Sequence, residues 1–413
     1  MLKALHIKFL LVNGIIGCSV SSNTTHTVPN EVSVSALDSV KHDNPVENII
    51  QSPLNDRKEM RVALLLPFYT NEIEYDSLGI SITSVSEKSI MATQYFRGVQ
   101  LALDSLDHEG IKMKVNVYDT RRDTDRLKNI LSLSDVVNAD VVIGPVSNIE
   151  LTVASKICGE RKQVLISPLS SSYNLAGKNK NFVLANAGLK THCEALAEFI
   201  NSKYSSARVI MVYRRETESV YASYFKDKLK TKPIELTEKS DSNCFHIDDF
   251  ISAINPNIII IPSFDEEFVS ILTKQLHGLS TDYTFYVFGM PTWKDMETLR
   301  LDYLQSIHTH ISSSYYSVDT ISPFKQIRSL YKSKFNSRPD EFSYQGYSIF
   351  LFIGSLWKEN NNKWFEHIDD ETEEAGVNFN IQPMNSNTSE TEFLENKNVF
   401  ILEFKNNSLI KVK

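Results

Sequence analysis

Hydroxyl side chains concentrate in two turns of the chain, one at Ser147 and one at Ser167 and 170–172. A serine becomes a nucleophile when a general base activates it and a third group orients that base, and no such base stands beside these hydroxyls. His308 and His310 lie two residues apart on a predicted strand, but no third metal ligand lies nearby, which favours a surface pair over a metal site. The sequence also lacks the motifs GxSxG, HExxH, GxGxxG, and GxxxxGK followed by Ser or Thr. We therefore expect no enzyme, no bound cofactor and no metal.

The elements that must position these turns alternate between strand and helix. Buried or alternating apolar segments predict strands, and apolar residues at helical spacing predict helices between them. In the first half, strands are predicted at 61–68, 112–120, 139–145 and 163–168, with helices at 91–108, 124–137 and 148–160. In the second half, strands are predicted at 181–188, 207–214, 257–263 and 284–289, with helices at 189–203, 218–230 and 265–277. The last part predicts helices at 324–336 and 343–358 and a hairpin at 400–412. This order indicates an α/β fold with two doubly wound, Rossmann-like lobes.

Length, charge and cysteine content limit the function classes. A chain of 413 residues allows two or three domains. Its net charge of −8 disfavours non-specific binding to nucleic acid, and no run of about 20 apolar residues predicts an ordinary transmembrane helix. Beyond the N-terminus, Cys158, Cys193 and Cys244 are odd in number and form no CxxC, so neither a disulfide framework nor a zinc site is indicated.

The N-terminus has the layout of a secretory signal. In residues 1–18 a short basic region precedes an apolar one, which is too short to span a membrane as a mature helix. The end of this segment, Ile-Ile-Gly-Cys, resembles a bacterial lipobox, and the resemblance implies lipidation of Cys18. Ser19, the residue after Cys18, is not acidic, and the resemblance to bacterial lipoproteins then implies the outer membrane and not the inner one. Residues 19–58 are polar without periodicity and predict a flexible tether. The expected location is the periplasm, with the protein lipid-anchored to a membrane. A cytoplasmic helix with a chance Gly-Cys stays open as the alternative.

A set of motifs in a fixed order resembles a known family. ADVVIGPVSN (139–148) and VLISPLSSSYNL (164–175) are similar to the first lobe of type I periplasmic solute-binding proteins, the branched-chain amino-acid-binding and receptor ligand-binding-like group. ARVIMVYRRETESVYASYFKDKL (207–229) is similar to the first strand and helix of the second lobe in that family. The resemblance extends over roughly 61–405.

The resemblance implies a division of the chain into two lobes joined by a multi-strand hinge. The first lobe would hold 59–185 with about 315–358, and the second 186–314 with about 359–413. Such lobes can close around a solute by hinge motion.

The resemblance also implies where a ligand would bind. Carried over to this sequence, the family's hydroxyl and main-chain contacts fall on Ser147, Asn148, Ser170 and Ser171. Ligands of open α/β sheets bind beyond the carboxyl ends of the strands, and helices beginning near Asn148 and Ser219 direct unpaired N–H groups there. These groups suit a carboxylate or another anion. Serine and asparagine also cap turns and helices, so a purely capping role stays open.

The second lobe departs from the family pattern. The candidate ligand contacts there are Glu218, Tyr221, Phe264, Asp265 and Trp293. The Tyr-Gly pair that covers the family's ligand is missing at 218–219, and the position of the acid that pairs with an α-ammonium holds no carboxylate, so Asp265 or Glu218 would have to substitute. A buried ammonium without a counter-charge is costly, which argues against a free amino acid. The aromatic residues are candidates to stack on a sugar or aromatic solute, or ordinary core residues.

Two functions of different classes fit these features. The first is a cell-envelope solute-binding lipoprotein that captures a small polar ligand (amino acid, amide or peptide-like) in a cleft between the lobes, for delivery to an ABC permease. The alternative is a non-transport envelope lipoprotein of the same fold that regulates peptidoglycan synthesis, as penicillin-binding-protein activators do, or senses a ligand. The tether and the outer-membrane address favour the alternative, whereas the hydroxyl turns favour capture. Expected partners are a small molecule, a membrane through the lipid anchor, and a permease or a peptidoglycan synthase, but no nucleic acid.

Overall fold

The structure is a computed structural model that describes residues 32–34, 59–74, 76–78, 86–173, 179–205, 207–214, 216–237, 247–316, 323–370, 372–374, 377–385 and 391–413. The predicted signal peptide, with Cys18, lies outside the described residues. The predicted tether at 19–58 also lies outside them, apart from one short strand at Val32–Val34. No helix of the described part is long and apolar enough to cross a membrane.

Strands and helices alternate through the described residues. The strands are β1 (Val32–Val34), β2 (Glu59–Leu66), β3 (Lys112–Asp119), β4 (Val141–Ile143), β5 (Leu165–Ser167), β6 (Phe182–Leu184), β7 (Arg208–Tyr213), β8 (Ile234–Thr237), β9 (Asn257–Ile260), β10 (Phe285–Phe288), β11 (Thr309–Ser313), β12 (Thr372–Glu374), β13 (Val377–Phe379), β14 (Ile381–Asn385), β15 (Thr391–Asn396), β16 (Phe400–Lys405) and β17 (Ser408–Lys411). The α-helices are α1 (Ile90–His108), α2 (Thr124–Leu131), α3 (Ser134–Val137), α4 (Asn148–Glu160), α5 (Leu189–Lys203), α6 (Glu216–Lys226), α7 (Glu266–Leu279), α8 (Leu301–Ser306), α9 (Phe324–Phe335) and α10 (Glu341–Asn360). Short 3₁₀ helices lie at Thr70–Glu72, Glu87–Ser89, Pro291–Asp295 and Asn361–His367.

The chain divides into two units. The first is Met1–Asn186 with Ser317–Lys397, and the second is Ala187–Tyr316 with Asn398–Lys413, so the chain passes between them three times. Each unit is built on its own α/β sheet, which confirms the fold class predicted from the sequence.

The first unit contains a sheet in the order β1-β3-β2-β4-β5-β6-β15-β14. All neighbouring strands are parallel except β14 and β15, which are antiparallel. Strand β2 reads EMRVALLL, and its last five residues are buried, as a continuous apolar run in a parallel sheet requires. From β2 the chain builds β3 on one side and then returns to build β4 on the other. The order therefore reverses between β2 and β4, which is a topological switch point.

The second unit contains a sheet in the order β17-β16-β11-β10-β9-β7-β8. Strands β7 to β11 are parallel, and β16 and β17 add an antiparallel edge. Asn406 and Asn407, with φ of 52° and 57°, form the predicted hairpin turn between β16 and β17. The switch point of this sheet lies between β7 and β9.

Residues 359–397 lie in the first unit, whereas the sequence prediction placed them in the second lobe. Strand β15 pairs with β6 through Leu394 with Val183 and Glu395 with Leu184, and β14 pairs with β15. The physical reason is the pairing itself: a short strand with little periodicity does not reveal which sheet edge will accept it.

The prediction that His308 and His310 form a surface pair is wrong for His310. His308 precedes β11 and is half-exposed, but His310 is buried, with its ring stacked on Phe288 at a centroid distance of 4.9 Å. Burial lowers the pKa of His310. The spacing of the two histidines in the sequence does not show that aromatic side chains pack against His310.

Candidate functional site

The turn after β4 depends on Gly144. Its φ is +87°, a conformation that residues with a Cβ rarely adopt, and a Cβ built there would lie 2.2 Å from the backbone oxygen of Leu65. The carboxyl ends of β2 and β4, on either side of the switch point, are therefore held in close contact.

Helix α4 begins directly after this turn with Ser147 as its N-cap. The Ser147 Oγ accepts from the backbone N–H of Glu150 at 3.4 Å and donates to Oε2 of the same residue at 2.6 Å. Glu150 is fully buried, and its Oε1 has no hydrogen-bond partner among the described residues. The hydroxyl proton of Ser147 is thus committed to its own chain.

A second hydroxyl turn reaches the same helix end. Ser170 Oγ donates to Asn148 Oδ1 at 2.9 Å and accepts from the backbone N–H of Ser172 at 3.2 Å. Strands β4 and β5 are parallel neighbours, so the turns that follow them meet at one edge of the sheet. The structure brings Asn148 and Ser170 together as predicted, whereas Ser171 is exposed beside them. The first-turn N–H groups of α4 have no acceptor within the helix.

The equivalent edge of the second unit is organised by a buried carboxylate. Glu218 accepts from the backbone N–H of Arg214 at 2.7 Å and from the hydroxyl of Ser263 at 2.5 Å. The Ser263 Oγ in turn accepts from the backbone N–H of Asp265 at 3.1 Å, and its carbonyl accepts from Trp293 Nε1 at 3.0 Å. These contacts join the segments that follow β7, β9 and β10. Glu218 thus holds the switch point of the second sheet together.

Both carboxylate oxygens of Asp265 contact residues of its own unit. Its Oδ1 accepts from the backbone N–H of Phe268 and caps α7, and its Oδ2 lies 3.1 Å from Arg214 Nη2. The guanidinium of Arg214 also lies over the ring of Phe268, 4.5 Å from the centroid. The cation is therefore held by an ion pair and an aromatic face together.

The aromatic candidates of the second unit differ in exposure. Tyr221 and Phe264 form an edge-to-face pair with centroids 5.3 Å apart, and Phe264 is 37% exposed. Val220, next to Tyr221 in the sequence, is 49% exposed. Trp293 is 1% exposed and lies in the core. Its ring has no exposed face on which a ligand could stack.

Asp119, at the end of β3, was not among the predicted site residues. Its carboxylate accepts from the backbone N–H groups of Phe68, Tyr69 and Thr70 at 2.8, 3.1 and 2.8 Å, and from that of Arg121 at 3.1 Å. Burial raises the pKa of Asp119, but the bonds from Thr70, Tyr69 and Phe68 outweigh it and hold that pKa below its usual value. The carboxylate fixes the turn after β2, the other side of the switch point in the first unit.

Other residues missed by the sequence reasoning are Glu150, Arg214 and Ser263. Glu150 had a signal, because Ser147-x-x-Glu150 has the spacing of a capping box. The other two had none, since their partners are distant in sequence. No group of three or more His, Cys, Asp or Glu within the described ranges could hold a metal.

Comparisons with known proteins agree with this architecture. Residues 96–369 match the family model described as receptor family ligand binding region. No curated protein matches the chain.

Solved structures share the fold at low sequence identity. A structure from Rhodospirillum rubrum, assigned to a branched-chain amino acid ABC transporter, has a TM-score of 0.62 and 12% identity, covering 86% of this chain and 99% of its own. An ABC transporter substrate-binding protein from Desulfitobacterium hafniense, in complex with Leu, has a TM-score of 0.58 and 12% identity, covering 86% and 100%. A periplasmic ligand-binding protein of a branched-chain amino acid ABC transporter from Burkholderia xenovorans LB400 has a TM-score of 0.58 and 10% identity, covering 86% and 94%.

Proposed function

The chain belongs to the receptor ligand-binding-region family with the type I periplasmic binding fold, and we propose that it captures a small polar solute. The proposed contacts lie at the carboxyl ends of the strands. In the first unit they are Asn148, Ser170 and the first-turn amides of α4, and in the second Tyr221 and Phe264. Closure of two lobes around the solute, implied by the sequence resemblance, stays a prediction.

One observation carries this proposal. In each sheet the polar turns that the sequence singled out stand at the topological switch point or next to it, and they are held there by specific side-chain bonds. Open α/β sheets bind their ligands at this point. The named ligands of the structural relatives, such as Leu, support a small-molecule ligand here as well.

A thermal-shift screen of residues 59–413 tests the proposal. The compounds are amino acids, short peptides, sugars and muropeptides. A ligand at about 100 times its Kd should add about 2.7 kcal/mol to the free energy of unfolding. If no compound raises the Tm, solute capture is refuted.

A second candidate is a scaffold that regulates peptidoglycan synthesis. It is favoured by the number of predicted contacts that are already engaged with their own chain, namely Ser147, Ser170, Glu218 and Asp265. Titration of residues 59–413 with the periplasmic domain of a peptidoglycan synthase tests it. Saturable binding to the synthase combined with an empty thermal-shift screen would select this candidate over solute capture.

We also propose that the protein is a lipoprotein of the cell envelope, anchored through Cys18 to the outer membrane. For the solute-capture function, the proposed protein partner is an ABC permease. Labelling cells with an alkyne fatty acid tests the anchor. Cys18→Ser should abolish labelling. The control Cys158→Ser, which changes a buried free thiol, should leave it unchanged. Equal labelling of both variants would contradict the proposal.

A further inference from the structure

The N-terminal end of α4 already holds a carboxylate of its own chain. Glu150 lies in the first turn, its Oε2 is 2.6 Å from the cap hydroxyl, and its side chain is fully buried. A negative group at this position is the favourable partner for the positive end of the helix dipole. The Oε1 atom has no hydrogen-bond partner among the described residues. Because Glu150 is itself a carboxylate, a second carboxylate brought to this helix end would be repelled by a like charge.

Two of the hydroxyls at this edge are also occupied. Ser147 donates to Oε2 of Glu150, and Ser170 donates to the side-chain Oδ1 of Asn148. A hydroxyl has one proton to donate. The donors that remain at this edge are the exposed Ser171 hydroxyl, the Asn148 amide nitrogen and backbone N–H groups, which can bind a neutral carbonyl or hydroxyl oxygen, whereas the Glu150 charge disfavours an anion.

The carboxylates at the edge of the second unit are also engaged by their own chain. Glu218 accepts from the backbone N–H of Arg214 and from the Ser263 hydroxyl, one bond to each oxygen. Asp265 accepts from the Arg214 guanidinium and from the backbone N–H of Phe268, again one bond to each oxygen. Both carboxylates are also largely buried, so neither is presented to a ligand ammonium. Arg214 has its counter-charge in Asp265, so it is not an open anion site either.

We infer that the ligand is an uncharged solute with carbonyl or hydroxyl oxygens and an apolar face, and not a zwitterionic amino acid. The charges at the turn after β4 in the first unit, and after β7 and β9 in the second, are already engaged by the chain itself. Phe264, partly exposed and paired edge-to-face with Tyr221, provides a surface for the apolar face. This inference rests on the proposed function, whose solute class it narrows.

The test is isothermal titration with compounds matched in pairs that differ in charge. The pairs are N-acetylleucinamide with leucine, N-acetylphenylalaninamide with phenylalanine, N-acetylglucosamine with glucosamine, and galactose with galacturonate. We expect the uncharged member of any pair that binds to bind about tenfold or more tightly than its charged partner, since a desolvated like-charge contact or an unpaired charge is costly. Charged members that bind as tightly or more tightly overturn the inference but leave solute capture standing. If no compound binds, and the broader thermal-shift screen is also empty, solute capture fails and the inference with it.

One variant in each unit tests whether the charges of the chain cause the preference for uncharged compounds. Glu150→Gln keeps an acceptor for Ser147 but removes the negative charge, and it should reduce the preference for galactose over galacturonate about tenfold. Glu160→Gln, at the exposed other end of α4, is the matched control and should leave the preference unchanged.

In the second unit, Asp265→Asn still caps α7 but leaves Arg214 without its counter-charge, and it should also raise the affinity for galacturonate. Exposed Asp282→Asn is the control. Near-UV circular dichroism identifies any variant that does not fold, in which case the variant of the other unit decides. Unchanged preferences in folded Glu150→Gln and Asp265→Asn would overturn the inference.

Discussion

Replacing Asp119 should destabilise the first unit more than any exposed carboxylate does. The side chain is 8% exposed and accepts four backbone N–H bonds, from Phe68, Tyr69, Thr70 and Arg121, together with the Thr70 hydroxyl at 2.8 Å. Hydrogen bonds to charged groups contribute about 1.5–3 kcal/mol each, but the donor residues 68–70 are partly exposed, so water can replace part of these bonds once the carboxylate is removed. We therefore expect Asp119→Ala to lower the free energy of unfolding by about 3–4 kcal/mol. Asp119→Asn, which keeps one acceptor, should cost about half as much.

The pH dependence of this loss follows from the lowered pKa of Asp119. A carboxyl whose pKa is lower in the folded state stabilises fully above its unfolded pKa of about 3.9. That contribution is lost as the pH falls through the folded pKa. The difference between wild type and Asp119→Asn should therefore be constant at neutral pH and shrink as the pH falls below about 4.

Urea denaturation followed by fluorescence measures this difference. Of the three tryptophans, Trp357 and Trp364 lie in the first unit and Trp293 in the second, so a Trp293→Phe background makes fluorescence report on the first unit. Asp123→Ala is the control, because it removes an exposed cap of α2 and should cost about 1 kcal/mol. A loss below about 1 kcal/mol for Asp119→Ala, or a difference that does not change with pH, would refute the reasoning.

Three further predictions concern single positions. Gly144→Ala should lower the free energy of unfolding by about 3 kcal/mol, because its Cβ would meet a backbone oxygen at 2.2 Å, whereas Gly278→Ala, with open space around it, should be neutral or stabilising by up to about 1 kcal/mol; similar urea midpoints for both would contradict this. Ser170→Trp should abolish the thermal shift produced by a bound ligand while preserving the circular dichroism spectrum, and an unchanged shift would remove this turn from the site. Trp293→Phe should cost about 1 kcal/mol of stability through its lost N–H bond but leave ligand affinity in titration unchanged, and a large loss of affinity would show that the ring contacts the ligand after all.

The elements around the site could be predicted because their signals are local. Continuous apolar runs marked β2, β4 and β9, and Gly-Pro or Ser-Pro marked the turns that follow β4 and β5. The start of α4 was predicted within a residue, since Ser147 is a strong N-cap. The proximity of Asn148 and Ser170 followed from the rule that neighbouring parallel strands end at one edge.

The sequence alone thus determined two α/β halves, their order of strands and helices, and the turns that carry polar side chains, because periodicity and turn chemistry act over a few residues. Only the tertiary structure decided which of those side chains already hydrogen-bond to other residues of the chain. Arg214 and Asp265 are 51 residues apart and Glu218 and Ser263 are 45 apart, so nothing local marks them as partners. The tertiary structure also decided that β14 and β15 join the first sheet, because a strand's partner is chosen by the edge that is free in three dimensions. Whether a carboxylate is available to a ligand depends on such long-range contacts, and these are absent from any short window of sequence.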